Sequence, residues 1–383
     1  MKKISVILII VAAATMMLCS ANSPENPVLE KEKLTESVHT SRHTAITRAI
    51  ESASPAVVGI HVTQIKEYAA RSIFDDPLWN MMFPGQVYRQ RVKSMGSGVI
   101  ISADGLVVTN AHVVEDAVET YITLAGGSEY KAQIIGADKL TDIALLKIDR
   151  DEAFPSIKIG NSDDIIIGEW AVALGNPFGL FDVNNQPTAT LGIISSINLD
   201  FGEQDGRVYQ DMIQTDASIN TGNSGGALVN VLGELIGINT FIFTGGGANR
   251  GSVGVGFAIP VSRVKEIVAE LHDKGQVDRG FETGMAVQNI DRYLAAFLQL
   301  PVTRGVIVTD VLKGSSAEKA GIVIGDVIME VNSRLIQNDR DIYRVINEGY
   351  LKAGDKLELK IWRNGDSIKR TLVLEKPKEK GKR

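Results

Sequence analysis

The sequence predicts a mainly β chain that ends in a smaller α+β unit. Three observations predict it. Short β-branched runs recur between residues 57 and 259, separated by Gly, Asn and Asp turn signals. Helical 3–4 spacing of apolar residues brackets those runs, at 44–52 (Ile46, Ile50) and at 261–272 (Val264, Ile267, Val268, Leu271). A charged, glycine-containing stretch, 272–280, then reads as a linker to a second unit in which strands alternate with two helices.

The elements follow in order. After Pro55 strands are expected at 57–62, 96–101, 106–109, 132–137 and 143–148, then at 171–175, 192–197, 227–231, 234–240 and 255–259. Many short strands with Gly turns argue for barrels. His61 falls in the first strand and reads as structural. Residues 66–94 interrupt the series. Within them, 74–84 carries Phe74, Trp79 and Phe83 on an expected loop, and apolar residues on a loop point to contact with a neighbour or another subunit. Residues 22–43 are polar, with Pro24 and Pro27, and read as a linker.

Length and composition set bounds. A chain of 383 residues allows two or three domains, and 44% hydrophobic content suffices for their cores. Lys2 and Lys3 followed by the apolar run Ile4–Leu18 read as an export signal, with cleavage after Ala21. Acylation at Cys19 and retention as an anchor stay open as alternatives. Cys19 is the only cysteine, so disulfides, a thiol nucleophile and cysteine-ligated metal are excluded from a mature chain beginning at Asn22. The formal charge of −6 becomes −8 without Lys2 and Lys3, which argues against nucleic acid as a partner. The basic tail 377–383 reads as a solvated end. No cluster of metal-ligand residues stands out, and no metal or organic cofactor is expected.

The chemistry gathers on three residues. Ser224 stands in GNSGGAL, 222–228. A serine is a weak nucleophile until a base takes its proton. The glycines permit a sharp turn in which the N–H groups of Gly222 and Ser224 converge on one spot, as an oxyanion requires. Alone, the motif reads equally well as a Gly-rich turn. His112 in TNAHVV (109–114) follows an apolar run, and Asp142 in TDIALLKI (141–148) precedes a buried strand. The order His112, Asp142, Ser224 is the chain order of a chymotrypsin-type triad.

TNAHVV, TDIALLKI and TDASINTGNSGGAL together resemble the HtrA/Deg family of serine proteases. GSGVIISADGLVVTNAHVV (96–114), ALGNPFGL (173–180) and GVGFAIP (254–260) fit the same pattern. The resemblance implies a chymotrypsin-like double β-barrel protease domain over 44–272, with six strands in each barrel. It makes Ser224 the nucleophile, His112 the general base and Asp142 the residue that orients the imidazole. Gly222, Asn223 and Ser224 become the oxyanion hole. It also implies a trimer or a multiple of trimers. Ser218 lies six residues before Ser224, at the base of the primary specificity pocket, and Ile219 lines that pocket. Ser218 and Thr221 stand where the family usually has Ala and Pro, and the loop 181–192 is longer than usual. The segment 245–251 is expected to form a mobile loop near the site.

The second unit, 280–376, resembles one PDZ domain through GVIVTDVLKGSSAEKAGIVIGDVIMEVN, 305–332. Such a domain takes a peptide as an added strand at a sheet edge. Gly284 and Met285 are the expected carboxylate-binding loop, and Ile342 and Ile346 on a helix at 339–346 the expected side-chain pocket. The stretch 279–290 carries an extra residue in that loop compared with the family.

These readings imply an exported, periplasmic serine endopeptidase that degrades misfolded proteins and binds C-terminal peptides at its PDZ domain. A chaperone function, and a regulatory protease that cuts one signalling substrate, remain open alternatives.

Overall fold

The structure is a computed structural model describing residues 36, 38, 40–69, 87–242, 252–297, 300 and 304–377. The export signal, most of the linker 22–43, the basic tail beyond Pro377, the interface candidates Phe74, Trp79 and Phe83, and the 245–251 loop lie outside the described residues.

Helix α1 (Ala45–Ala53) opens the protease-like unit. The Thr44 hydroxyl accepts from Thr47 N–H at 3.2 Å and so satisfies one free amide of its first turn. Seven strands form the first sheet: β1 (Val57–Ala69), β2 (Val87–Ile100), β3 (Leu106–Thr109), β4 (Ala117–Thr123), β5 (Glu129–Lys131), β6 (Gln133–Asp138) and β7 (Ile143–Lys147). Their order is β5-β4-β1-β2-β3-β7-β6, all antiparallel. The expected interruption at 66–94 is shorter than the sequence suggested. β1 and β2 pair in unbroken register from Val57↔Val99 to Ala69↔Val87.

The second sheet holds β8 (Lys158–Ile159), β9 (Trp170–Gly175), β10 (Thr188–Leu199), β13 (Met212–Thr215), β14 (Ala227–Val229), β15 (Glu234–Ile242) and β16 (Gly256–Pro260). Six of these close on themselves in the order β14-β9-β10-β13-β16-β15, with β15 pairing back to β14. This is the expected six-stranded barrel. β8 adds to it in parallel beside β15. The first sheet carries seven strands where six were expected. Between β10 and β13 rises a small hairpin, β11 (Gly202–Gln204) and β12 (Arg207–Tyr209). The expected loop 181–192 instead folds as a short helix, α3 (Phe181–Asn184), followed directly by β10, because the Phe181 side chain is fully buried.

Ile194, Ile213, Leu228 and Ile236 of the second sheet belong to one core cluster, and buried Val, Ile and Leu from both sheets form another. Helix α4 (Val261–Lys274) covers it with Val261, Val264, Ile267 and Leu271, all buried on one face. Gly275 ends the helix at φ +71°, its N–H returning to Leu271 O.

The C-terminal unit is built from β17 (Met285–Asn289), β18 (Val306–Val311), β19 (Val327–Val331), β20 (Arg334–Leu335), β21 (Lys356–Arg363) and β22 (Asp366–Val373). The sheet order β17-β18-β19-β21-β22 leaves β17 at an edge. Helices α5 (Arg292–Phe297), α6 (Ser316–Lys319) and α7 (Asp339–Glu348) complete it. Inside, the fully buried Asp326 carboxylate meets the Arg363 guanidinium through two bonds, 2.6 and 2.7 Å.

Candidate active site

Asp142 and His112 are brought together by the first sheet. β3 ends at Thr109, and the chain turns into helix α2 (Ala111–Val114). The Asp142 backbone carbonyl accepts from Ala111 N–H and from Asn110 Nδ2, both at 3.0 Å. Its carboxylate accepts from His112 N–H at 3.0 Å. Nδ1 of the same imidazole lies 3.0 Å from Oδ1 and 2.8 Å from Oδ2. Asp142 is fully buried and holds φ +59°, a left-handed conformation that an aspartate tolerates better than most residues. Thr240 Oγ1 donates to Oδ2 at 3.0 Å. These contacts hold the carboxylate and the imidazole in a fixed mutual orientation, with Nδ1 facing Asp142.

Ser224 comes from the second barrel, so the site straddles the seam between the sheets. Gly222 (φ +98°) and Gly225 (φ +84°) form its turn. Ser97 on β2 braces that turn from beneath: its N–H donates to Ser224 O at 2.9 Å and its hydroxyl to Gly222 O at 2.6 Å. The Ser224 hydroxyl donates to Thr240 O at 2.7 Å rather than to His112. A rotation about χ1 is therefore needed to bring it to the imidazole.

The backbone before Ser224 is pinned by a second segment. Phe178 N–H donates to Thr221 O at 2.9 Å. A trans peptide points its C=O and N–H in opposite directions, so this bond turns Gly222 N–H away from Phe178. Asn223 N–H is bound to Asn220 O at 2.9 Å. Of Gly222, Asn223 and Ser224, the first and last have no acceptor for their backbone N–H among the described residues. A Cβ at position 222 would lie 2.3 Å from Asn176 O, so only glycine fits.

His112, Ser224, Gly222, Ile219 and Thr240 line one cavity of about 530 Å³. Ile219 is buried beside Gly256, where a Cβ would come within 2.8 Å of its Cδ1. Ser218 O accepts from Thr190 Oγ1 at 2.9 Å.

Residues 96–238 match the trypsin-like peptidase domain family, and residues 282–374 match the PDZ domain family. The chain is 37% identical over 348 residues to a probable periplasmic DegP-like serine endoprotease of Halomonas elongata, covering 86% of this chain and 70% of that one. A protein of the same description from Chlamydia trachomatis is 42% identical over 317 residues, 80% of this chain. The chain spans 61% of the length of that chlamydial relative. Among solved structures, an HtrA-type protease, AlgW with a decapeptide, superposes with a TM-score of 0.60 at 35% identity, covering 88% of this chain and all of that one. A serine endoprotease from Yersinia pestis gives a TM-score of 0.55 at 31% identity, covering 88% of this chain and 99% of that one.

The chain belongs to the HtrA-type serine protease family.

Several residues at the site of this HtrA-family chain escaped the sequence reading. Ser97, Thr240 and Arg207 all touch the triad region, yet each is a single polar residue inside a strand motif. Ser97 in the Gly-Ser-Gly of 96–98 had the clearest signal, since two flanking glycines invite close backbone approach. Arg207 Nε lies 3.3 Å from Asp142 Oδ1, a contact that residue spacing could not reveal.

The PDZ candidates of this HtrA-family chain lie in one region. Gly284 adopts φ +69°, and a Cβ there would sit 2.1 Å from Ser315 Cβ. Its carbonyl accepts from Leu312 N–H at 2.7 Å. Met285 begins the edge strand β17 and packs, half-buried, on the same core that contains Ile342 and Ile346. Those two isoleucines are buried within α7. Asn289 and Asp339 exchange two hydrogen bonds and join β17 to the start of α7.

No helix among the described residues is long and apolar enough to cross a membrane, and no group of three or more His, Cys, Asp or Glu side chains there is placed to hold a metal.

Proposed function

We propose that this chain is an exported serine endopeptidase that hydrolyses peptide bonds of misfolded envelope proteins by acyl transfer. The observation that carries the reading is the buried Asp142 carboxylate 2.8 Å from His112 Nδ1, with His112 lining one cleft with Ser224. Ser224 attacks the scissile carbonyl. His112 takes its proton and returns it to the leaving amine, while Asp142 stabilises the imidazolium. Gly222 and Ser224 N–H hold the oxyanion of the tetrahedral intermediate. Ser218 and Ile219 form an uncharged pocket for a small aliphatic side chain.

The PDZ domain takes C-terminal peptides along β17, with Gly284 and Met285 at the carboxylate end and α7, through Ile342 and Ile346, beneath the terminal side chain. The DegP-like relatives named periplasmic support an envelope location, and the family resemblance supports a homotrimer or a multiple of it.

Labelling of the full chain with a fluorophosphonate, followed by peptide mapping, tests the reading. A single adduct on Ser224, blocked by prior casein turnover at saturating substrate, is the expected result. Absence of labelling at Ser224 in folded protein contradicts it.

A further inference from the structure

Arg207 presents a buried positive charge to the candidate catalytic carboxylate. Its side chain is 15% exposed and its Nε lies 3.3 Å from Asp142 Oδ1. Nε makes no hydrogen bond among the described residues, so the contact is one of charge rather than of a shared proton. The other arm of the guanidinium donates to Glu115 Oε2 at 2.8 Å. Glu115 is the residue after the His112 helix, and Lys139 reaches its second oxygen at 2.7 Å. The guanidinium thus ties Asp142, which holds the imidazole, to the far end of the segment that carries the imidazole.

The rest of the hairpin is fixed against the same turn. Val208 N–H donates to Leu140 O at 2.7 Å, two residues before Asp142. Tyr209 lies near enough that the Asp142 charge adds to burial in pushing its phenol up. The charged and titratable groups around the couple are therefore Arg207 and Tyr209 from the hairpin, Glu115 after α2, and Lys139 in the turn before Asp142. Asp205, at the hairpin tip, also acts on Tyr209.

We propose that Arg207 is a positioning residue for the Asp142–His112 couple: it holds the carboxylate in place and offsets part of its charge. The proposal rests on the triad reading above. Physically, two effects compete. A cation beside Asp142 weakens the attraction that would stabilise an imidazolium, and it also locks the carboxylate against reorientation. Removing the charge should raise the basicity of His112 while loosening its partner.

The test is the pH dependence of casein kcat/KM and of fluorophosphonate inactivation, on the full chain, for Arg207→Met, Arg207→Lys and Glu115→Gln. The acid limb of a kcat/KM profile reports the essential base of the free enzyme. Arg207→Met is expected to move that limb up by about half a pH unit or more and to lower the plateau, since charges a few ångströms apart still interact at an effective dielectric of about 20. Arg207→Lys should restore the limb. Glu115→Gln leaves the Arg207 charge less neutralised and should move the limb the other way.

A purely structural arginine would lower the plateau in Arg207→Met with the limb unmoved, and that result overturns the proposal. If Arg207→Met does not fold, Glu115→Gln decides: a downward shift supports the proposal, and an unmoved limb overturns it. Failure of the triad reading shows separately, as turnover that persists in Ser224→Ala.

Discussion

The Tyr350 hydroxyl of the PDZ domain donates to the Val208 carbonyl at 2.6 Å, on the residue that follows Arg207. Val208 is therefore held on both sides, by its N–H to the Asp142 turn and by its carbonyl to the PDZ domain. Neighbouring contacts share the load. Arg263 stacks on the Tyr350 ring at 4.4 Å, Asn347 bonds Glu203 at 3.1 Å, Lys352 bonds Glu270 at 2.6 Å, and Arg279 grips Asp138 at 2.7 Å.

Burial pushes the Tyr350 phenol up to about 12. An acid whose value rises on docking contributes stability that is complete below its ordinary value near 10 and disappears as pH rises through about 12. The seating of the PDZ domain on the hairpin should loosen in that window. Tyr350→Phe removes the donor and should raise amide exchange over residues 202–209 at neutral pH, by the loss of one neutral hydrogen bond of about 1 kcal/mol. Unchanged exchange in that segment would show that Tyr350 does not hold it.

Gly222→Ala should abolish most turnover without unfolding the chain. The added Cβ meets Asn176 O and must break the Thr221–Phe178 bond that orients the amide. Loss of one oxyanion donor costs about a hundredfold to a thousandfold in kcat. Nearly lost casein cleavage in a folded chain whose melting temperature falls modestly is the expected pair of results. Undiminished turnover would remove Gly222 from the oxyanion site.

Cleavage should fall after Val, Ala or Ile. Ile219 lines the cavity, and no carboxylate among the described residues does, so none of those compensates a basic side chain. Mass spectrometry of a casein digest checks this. Dominant cuts after Arg or Lys would refute it.

Arg363→Met should destabilise the PDZ domain by about 3 kcal/mol, because it leaves the buried Asp326 carboxylate without its cation. Chemical denaturation followed by the lone PDZ tryptophan, Trp362, reads this transition. A shift within error would mean that Val323 N–H, 2.9 Å from Asp326, satisfies the carboxylate on its own.

Much of this architecture was legible in the chain. Alternating β-branched runs placed ten of the fourteen strands of the two sheets, without β4, β5, β8 and β13, and the 3–4 spacing of Val264, Ile267 and Leu271 placed α4. The region 66–94 hides a two-stranded ribbon whose residues, Lys66↔Gln90 and Glu67↔Arg89 among them, carry no apolar strand pattern. The loop at 181–192 was misjudged because a single residue, Phe181, decides it by burial. The hairpin at 202–209 gave no apolar pattern at all, so neither Arg207 nor its approach to Asp142 was visible. Turn geometry, not residue type, decides where the Asn223 N–H points, so its bond to Asn220 O is not legible from the residues.

If Ser224 is the nucleophile, casein hydrolysis by purified Ser224→Ala beside the wild-type chain shows it: the variant stays folded, with the same melting behaviour, and its turnover falls by up to about a millionfold. Cleavage near the wild-type rate in a pure sample would contradict it.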